Sequence, residues 1–200
     1  MATLLSLLAA IGVDSASDEV RLSGVSEAGL GCEISHIVDD SRQVVAGALF
    51  CAMAGDHGHG LDFMPSVEKM GAAAVLWEPV ADIAIEDQQP SIKIPAIPVL
   101  GLAQKLGQLA ASFHGQPSES LRLLGITGTN GKTTCTHLYA QACGAACGQI
   151  GTLGYGFAGQ LVKPTHTTPG ALRVQALLAE FKKQQADEVV MEVSSYGLVQ

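Results

Sequence analysis

Basic residues are scarce: 11 lysines and arginines stand against 19 aspartates and glutamates, a net charge of −8. A general nucleic-acid or membrane-surface binder needs a basic footprint, so both classes are set aside. An anionic ligand is not, because a few oriented N–H groups and one lysine hold a nucleotide locally. The five cysteines are odd in number and contain no Cys-x-x-Cys pair, which favours neither a disulfide framework nor a zinc ribbon. Cys143 and Cys147 are spaced for one helix face and could ligate a metal; small buried thiols in a reducing compartment are the plainer reading. No apolar run reaches the ~18 residues of a membrane span, and the apolar start, Met1 to Val13, has no basic segment. The expectation is a cytoplasmic protein. Also missing are internal repeats, low-complexity tracts and any Gly-x-Ser-x-Gly, so Ser-His-Asp hydrolysis has no support.

What the chain does have is Leu121 to Thr134, Leu-Arg-Leu-Leu-Gly-Ile-Thr-Gly-Thr-Asn-Gly-Lys-Thr-Thr. An apolar run suited to a buried strand gives way to a glycine-rich turn, then to Lys132-Thr133-Thr134 and a helix-compatible segment from Cys135 to Ala146. That is the strand, loop, helix order of a phosphate-cradling loop. Gly128 and Gly131 let the backbone bend with N–H groups pointing inward, where a side chain would block a phosphate. The helix N-terminus adds its positive dipole end and its unpaired donors. Lys132 would meet the terminal phosphates, and the Thr133 hydroxyl would complete a magnesium shell. The spacing departs from the usual pattern, which would place a glycine at Ile126; here the glycines stand at 125 and 128.

At 200 residues and 48% hydrophobic content the chain is long enough for two small, well-filled domains. Leu4, Leu5, Leu7, Leu8 and Ile11 predict a short helix ended by Gly12, followed by loop or weak strand from Asp14 to Gly31. Strands are expected over Ile34 to Val38 and Ala48 to Ala54, the second ending in a stretch from Gly55 to Gly60 too glycine-rich for regular structure. A helix from Leu61 to Met70, a strand from Ala73 to Leu76, an irregular proline-rich excursion and a short strand at Val99-Leu100 come next. Leu102 to Phe113 has clear helical periodicity. The pattern breaks at His114 to Ser120, which sets the expected domains at 1–116 and 117–200. Beyond the phosphate loop the spacing predicts a strand near Gln149 to Leu153, a glycine-broken hairpin-like stretch to Val162, and a polar turn from Lys163 to Gly170. A helix from Ala171 to Lys183 carries Leu172, Ala176 and Ala179 on one face, and a buried strand from Val189 to Val193 closes the pattern. The fold class is α/β: a small mixed α/β amino-terminal domain, then an incomplete P-loop-type parallel sheet of about three strands where a doubly wound sheet has five or six.

Glu192 falls at the C-terminal end of a strand on the sheet edge that bears the phosphate loop, where it can anchor magnesium directly or through water. A strand-end carboxylate facing solvent or capping a helix fits the position equally well. Thr165, Thr167, Thr168, Ser194 and Ser195 offer hydroxyls; such clusters are more often turn formers and caps. Asp56-His57-Gly58-His59 resembles a metal-binding pair, yet no third ligand is nearby and a solvated loop is the simpler reading.

Taken together, Gly125 to Thr134, Thr167-Thr168-Pro169 and Met191-Glu-Val-Ser-Ser-Tyr-Gly-Leu-Val-Gln200 resemble the Mur ligases, and within them the tripeptide-synthetase (MurE) type. Asp40-Ser41-Arg42, Gly47 to Ala52 and Gly55-Asp-His-Gly58 resemble that family's uridine-binding amino-terminal domain. Tyr196 stands where the family usually has histidine, and His166 where asparagine is common. The resemblance implies an ATP-dependent amide ligase of peptidoglycan synthesis. In it, the carboxylate of UDP-N-acetylmuramoyl-L-alanyl-D-glutamate is phosphorylated and the amine of a diamino acid attacks the acyl phosphate. Carried over residue by residue, Gly128, Thr129, Asn130, Gly131, Lys132, Thr133 and Thr134 would hold ATP, and Thr133 and Glu192 magnesium; Lys132 and Glu192 would carry the catalysis. Asp39, Ser41, Asp56, His57 and Gly58 would line the uridine diphosphate site, and His166, Thr167, Thr168, Ser194 and Gln200 the muramoyl-peptide site.

An acyl phosphate forms between two anions, so a lysine, magnesium and helix-end amides must neutralise the developing charge. The resemblance further implies a monomer and a chain that stops short of the family's remaining regions, hence one that does not ligate alone. An incomplete sheet exposes an unpaired strand edge, which implies aggregation or dependence on a partner chain. The rival readings are the MurF type, which shares Asp-Ser-Arg and the phosphate loop, and a non-catalytic nucleotide or UDP-sugar binding module.

Overall fold

The computed structural model describes residues 2–55, 58–81, 83–163 and 169–194, and the chain divides into two compact units, Met1–Phe113 and His114–Gln200. In the first unit β1 (Ala2–Thr3) leads into α1 (Leu4–Ala10), whose start is closed by reciprocal hydrogen bonds between Thr3 and Ser6. Leu4, Leu7 and Leu8 are fully buried, as the spacing requires.

The stretch expected to be loop or weak strand instead forms α2 (Asp18–Ser23) and α3 (Glu27–Leu30). Each is set by a serine cap: Ser17 Oγ accepts from Val20 N at 3.4 Å and Ser26 Oγ from Gly29 N at 3.2 Å. Caps of this kind stabilise even one or two turns with little apolar periodicity.

The expected strand over 34–38 is two short ones. β2 (Glu33–Ile34) pairs antiparallel with β1, and β3 (His36–Val38) joins the main sheet. Between them Ser35 turns aside, its N–H donating to Gly47 O at 3.0 Å and its hydroxyl to Ala46 O at 3.2 Å. β4 (Ala48–Ala52) is buried throughout, the pattern of a central parallel strand covered on both faces. The glycine-rich stretch after it is regular where described: β5 (Ala54–Gly55) and β6 (Gly58–His59) pair antiparallel, and a 3-10 turn over Gly60–Phe63 precedes α4 (Met64–Lys69).

β7 (Ala74–Trp77) and β8 (Ala96–Pro98) complete a parallel sheet in the order β3-β4-β7-β8. β8 lies a few residues before the expected Val99-Leu100. It is an edge strand, where a proline's missing N–H costs no ladder bond, and Val99 N still donates to Trp77 O at 2.8 Å. Phe50, Val75 and Trp77 pack against Met64 and Val67 of α4 on one face, and α5 (Leu102–Phe113), with the bounds its periodicity predicts, packs with α1.

The second unit holds β9 (Arg122–Ile126), α6 (Lys132–Cys143), β10 (Cys147–Gly151), β11 (Gly154–Phe157), β12 (Gln160–Val162), α7 (Ala171–Lys183) and β13 (Glu188–Glu192). Its sheet runs β12-β11-β10-β13-β9, so the glycine-broken stretch contributes two strands beyond the three anticipated. β10, β13 and β9 are mutually parallel, while β11 and β12 are antiparallel additions. Alternation along the strands sends Ile150 and Val189 to a cluster with α7, and Cys147 and Val190 to one with Ala140 of α6. α7 buries Leu177, Leu178 and Phe181; the face predicted from Leu172, Ala176 and Ala179 is only half-buried. Phe181 meets Phe157 edge-on, ring centroids 5.4 Å apart.

Candidate functional site

β9 ends at Ile126, whose position in the sequence pattern looked anomalous. The structure accounts for it: Ile126 is still in the sheet, opposite Glu192, and its carbonyl accepts from Val193 N at 2.9 Å. The bend begins later, at Gly128 with φ 140° and Gly131 with φ 79°, conformations that L side chains resist. Gly131 opens α6 without any side-chain cap. Cys135 N donates to Gly131 O at 2.9 Å, so the N–H groups of Lys132, Thr133 and Thr134 precede the first helical hydrogen bond. Thr129 and Asn130 are exposed at the loop tip. The Lys132 ammonium folds back over the loop and donates to Gly128 O at 2.7 Å, which places a cation at its mouth.

Parallel register brings the end of β13 beside this loop. Glu192 Oε2 accepts from Thr133 Oγ1 at 3.0 Å. The same carboxylate is held from just past β10: Thr152 N donates to Oε1 at 2.9 Å and Thr152 Oγ1 to Oε2 at 3.0 Å. Glu192 is therefore neither a solvent-facing carboxylate nor a helix cap. Thr152 escaped the sequence reading; the available signal was a hydroxyl residue following a strand that a parallel sheet must place next to β13. Gly151 belongs with it, since a Cβ there would collide with the Glu192 carboxyl group.

This donor set suits magnesium: a carboxylate and a hydroxyl already 3.0 Å apart, both hard oxygen donors. Among the described residues no group of three His, Cys, Asp or Glu side chains could hold a metal, so phosphate oxygens and water would fill the remaining positions, as magnesium favours. At the opposite end of β13, Glu188 accepts from Tyr139 Oη at 2.7 Å and pairs with Arg122 at 3.4 Å, tying α6, β13 and β9 together. The Glu188 hydrogen bond, with the neighbouring Cys143, raises the Tyr139 pKa above its ordinary value.

In the first unit Asp39 and Ser41 follow the C-terminal end of β3, and Gly58 lies in the hairpin that follows β4, so parallel register gathers them on one sheet edge. Burial is the main cause raising the Asp39 pKa, its own backbone N–H opposes it, and the Asp40 charge adds to the rise. Asp40 goes the other way, lowered chiefly by hydrogen bonds from Arg42 at 2.7 to 3.2 Å. His59 is not a solvated loop residue: Nδ1 accepts from Leu61 N at 3.1 Å and Nε2 meets Glu78 O at 2.9 Å, which assigns the proton to Nε2. Cys147 is buried as expected, which with the neighbouring Cys143 pushes its pKa up to about 11, whereas Cys143 is exposed. Ser194 lies just past β13. Asp56, His57, His166, Thr167, Thr168, Tyr196 and Gln200 lie outside the described residues. Among the described residues no helix is long and apolar enough to cross a membrane.

Comparison with known proteins accords with this geometry. Residues 126–200 match the Mur ligase middle domain, and residues 33–114 match the Mur ligase family, catalytic domain. A curated relative from Chromobacterium violaceum, named UDP-N-acetylmuramoyl-L-alanyl-D-glutamate--2,6-diaminopimelate ligase, is 44% identical over 176 residues, 86% of this chain and 35% of its own. Identically named relatives from Nitrosomonas europaea and Pseudomonas syringae are 42% and 46% identical, over 94% and 84% of this chain. The chain thus spans about a third of the length of these relatives, 36% and 34% in the last two cases. A solved structure of a ligase with the same name superposes with a TM-score of 0.69 at 27% identity, over 91% of this chain and 37% of that one. MurF from Acinetobacter baumannii shares the fold at 22% identity, TM-score 0.58, over 96% and 35%. With two models of one family lying over both units, and relatives above 40% identity across most of its length, the chain belongs to the Mur ligase family.

Proposed function

We propose that the chain carries the nucleotide-phosphate and UDP-sugar sites of an ATP-dependent ligase. That ligase joins a diamino acid, 2,6-diaminopimelate by analogy with its relatives, to UDP-N-acetylmuramoyl-L-alanyl-D-glutamate. The observation that carries this reading is the convergence of Lys132, the uncapped start of α6 and the Thr133–Glu192 pair on one loop. Lys132 and the N–H groups of the first helical turn would bind the terminal phosphates and offset charge as a phosphoryl group passes to the substrate carboxylate. Thr133 and Glu192 would hold magnesium, which when bound neutralises phosphate charge and orients the transferring group. Asp39, Ser41 and the Gly58 turn would receive the uridine diphosphate, with His166, Thr167, Thr168, Ser194 and Gln200 toward the muramoyl peptide. The MurE type is preferred to the MurF type because the curated relatives described above, 42 to 46% identical, are named diaminopimelate ligases.

Calorimetric titration of the chain with magnesium and ATP, and separately with UDP-N-acetylmuramoyl-L-alanyl-D-glutamate and its diaminopimelate-extended form, tests this. ATP should bind saturably, and Lys132→Ala should weaken it roughly tenfold to a hundredfold, the loss of a charge-assisted hydrogen bond. The dipeptide form should bind more tightly than the extended one; the reverse order would support the MurF type. Absence of saturable ATP binding would refute the proposal.

A further inference from the structure

The geometry points to Thr152 as a positioning residue for Glu192, fixing that carboxylate where it and Thr133 can meet a magnesium ion beside the phosphate loop. This rests on the nucleotide reading of the loop given above. Glu192 is the last residue of β13, at the open end of the sheet, where a long acidic side chain would ordinarily swing toward water. Three donors hold it instead, and two come from one residue. The backbone N–H of Thr152 holds Oε1 at 2.9 Å and its hydroxyl holds Oε2 at 3.0 Å, a two-point grip that sets the plane of the carboxylate. The seat is cleared by Gly151: a Cβ there would stand 2.8 Å from Glu192 Cδ, so any side chain would displace the carboxylate.

The third donor, Thr133 Oγ1 at 3.0 Å, differs in kind. Its oxygen keeps lone pairs for a cation while its proton stays on Glu192, and the grip of Thr152 keeps the carboxylate from drifting as the cation arrives. Outer residues that orient a ligating side chain typically account for ten- to hundredfold in metal affinity.

ATP affinity measured across a magnesium series and again in EDTA separates this role from a general structural one. Thr152→Val should move the magnesium midpoint up about tenfold while leaving the EDTA affinity within about twofold. Thr152→Ser, which keeps the hydroxyl, should restore the wild-type midpoint, and Gly151→Ala should reproduce the loss with Thr152 intact. If T152V does not fold, G151A against T152S makes the same comparison. An unchanged midpoint in T152V, an equal loss in T152S, or an equal loss in EDTA would overturn the assignment and leave the phosphate-loop reading standing. A wild-type chain that binds no ATP under either condition would sink both.

Discussion

At the scale of single residues, the site was half legible. Gly128 to Thr134 could be read because glycines that need positive φ and a lysine opening a helix leave a trace in local sequence. Glu192 could be placed but not interpreted, since its meaning depends on Thr152, 40 residues away along the chain and adjacent only after the sheet forms. The solvated loop expected at His59 failed for a related reason: backbone groups at Leu61 and Glu78 use up both ring nitrogens, and no spacing rule shows that. His114, at the junction of the units, gives a pH test. Burial lowers its pKa below the usual 6.5, so the unfolded chain takes up the proton first. Its stabilising contribution is whole above that value and is lost as pH falls through the lower folded-state value. The melting temperature should therefore drop on acidification from pH ~7.5 to ~5.5, and His114→Gln should reduce the drop. Equal slopes for the two proteins would remove His114 from the account.

Elements with strong periodicity, α5 and α7, were predicted with the bounds they adopt. Those marked mainly by a single serine cap, α2 and α3, were not, although Ser17 and Ser26 stand in the sequence. The buried face of α7 was misassigned because its packing is decided from across the sheet: Gly148 in β10 leaves the space that the Phe181 ring fills. A Cβ at residue 148 would lie 2.7 to 2.9 Å from three atoms of that ring. Gly148→Ala should accordingly destabilise the second unit by about 1 to 3 kcal/mol in urea unfolding. Adding Phe181→Leu should recover part of the loss, whereas additive penalties would show that the two residues do not press on each other.

For the whole molecule, composition and the order of elements were enough to indicate two α/β units, and what stayed hidden was where each sheet stops. Among the described residues β9 pairs only with β13, and Leu123 on it is 43% exposed. An apolar parallel strand held on one side is a template for another chain. Sedimentation of the 200-residue chain should show self-association that grows with concentration and is reduced by Leu123→Lys; a monodisperse species at high concentration would contradict this. The same strand leads into the glycine loop proposed to hold phosphate, so its open side and its C-terminal end answer to different forces, one to a neighbouring polypeptide and the other to a small anion. Any nucleotide that Lys132 and the start of α6 retain also pins the sheet's loose hem, and by mass action it draws molecules out of the sticky, partly opened population. Shelf life and cofactor occupancy would then be a single quantity, and a preparation kept with ATP should outlast one stripped of it.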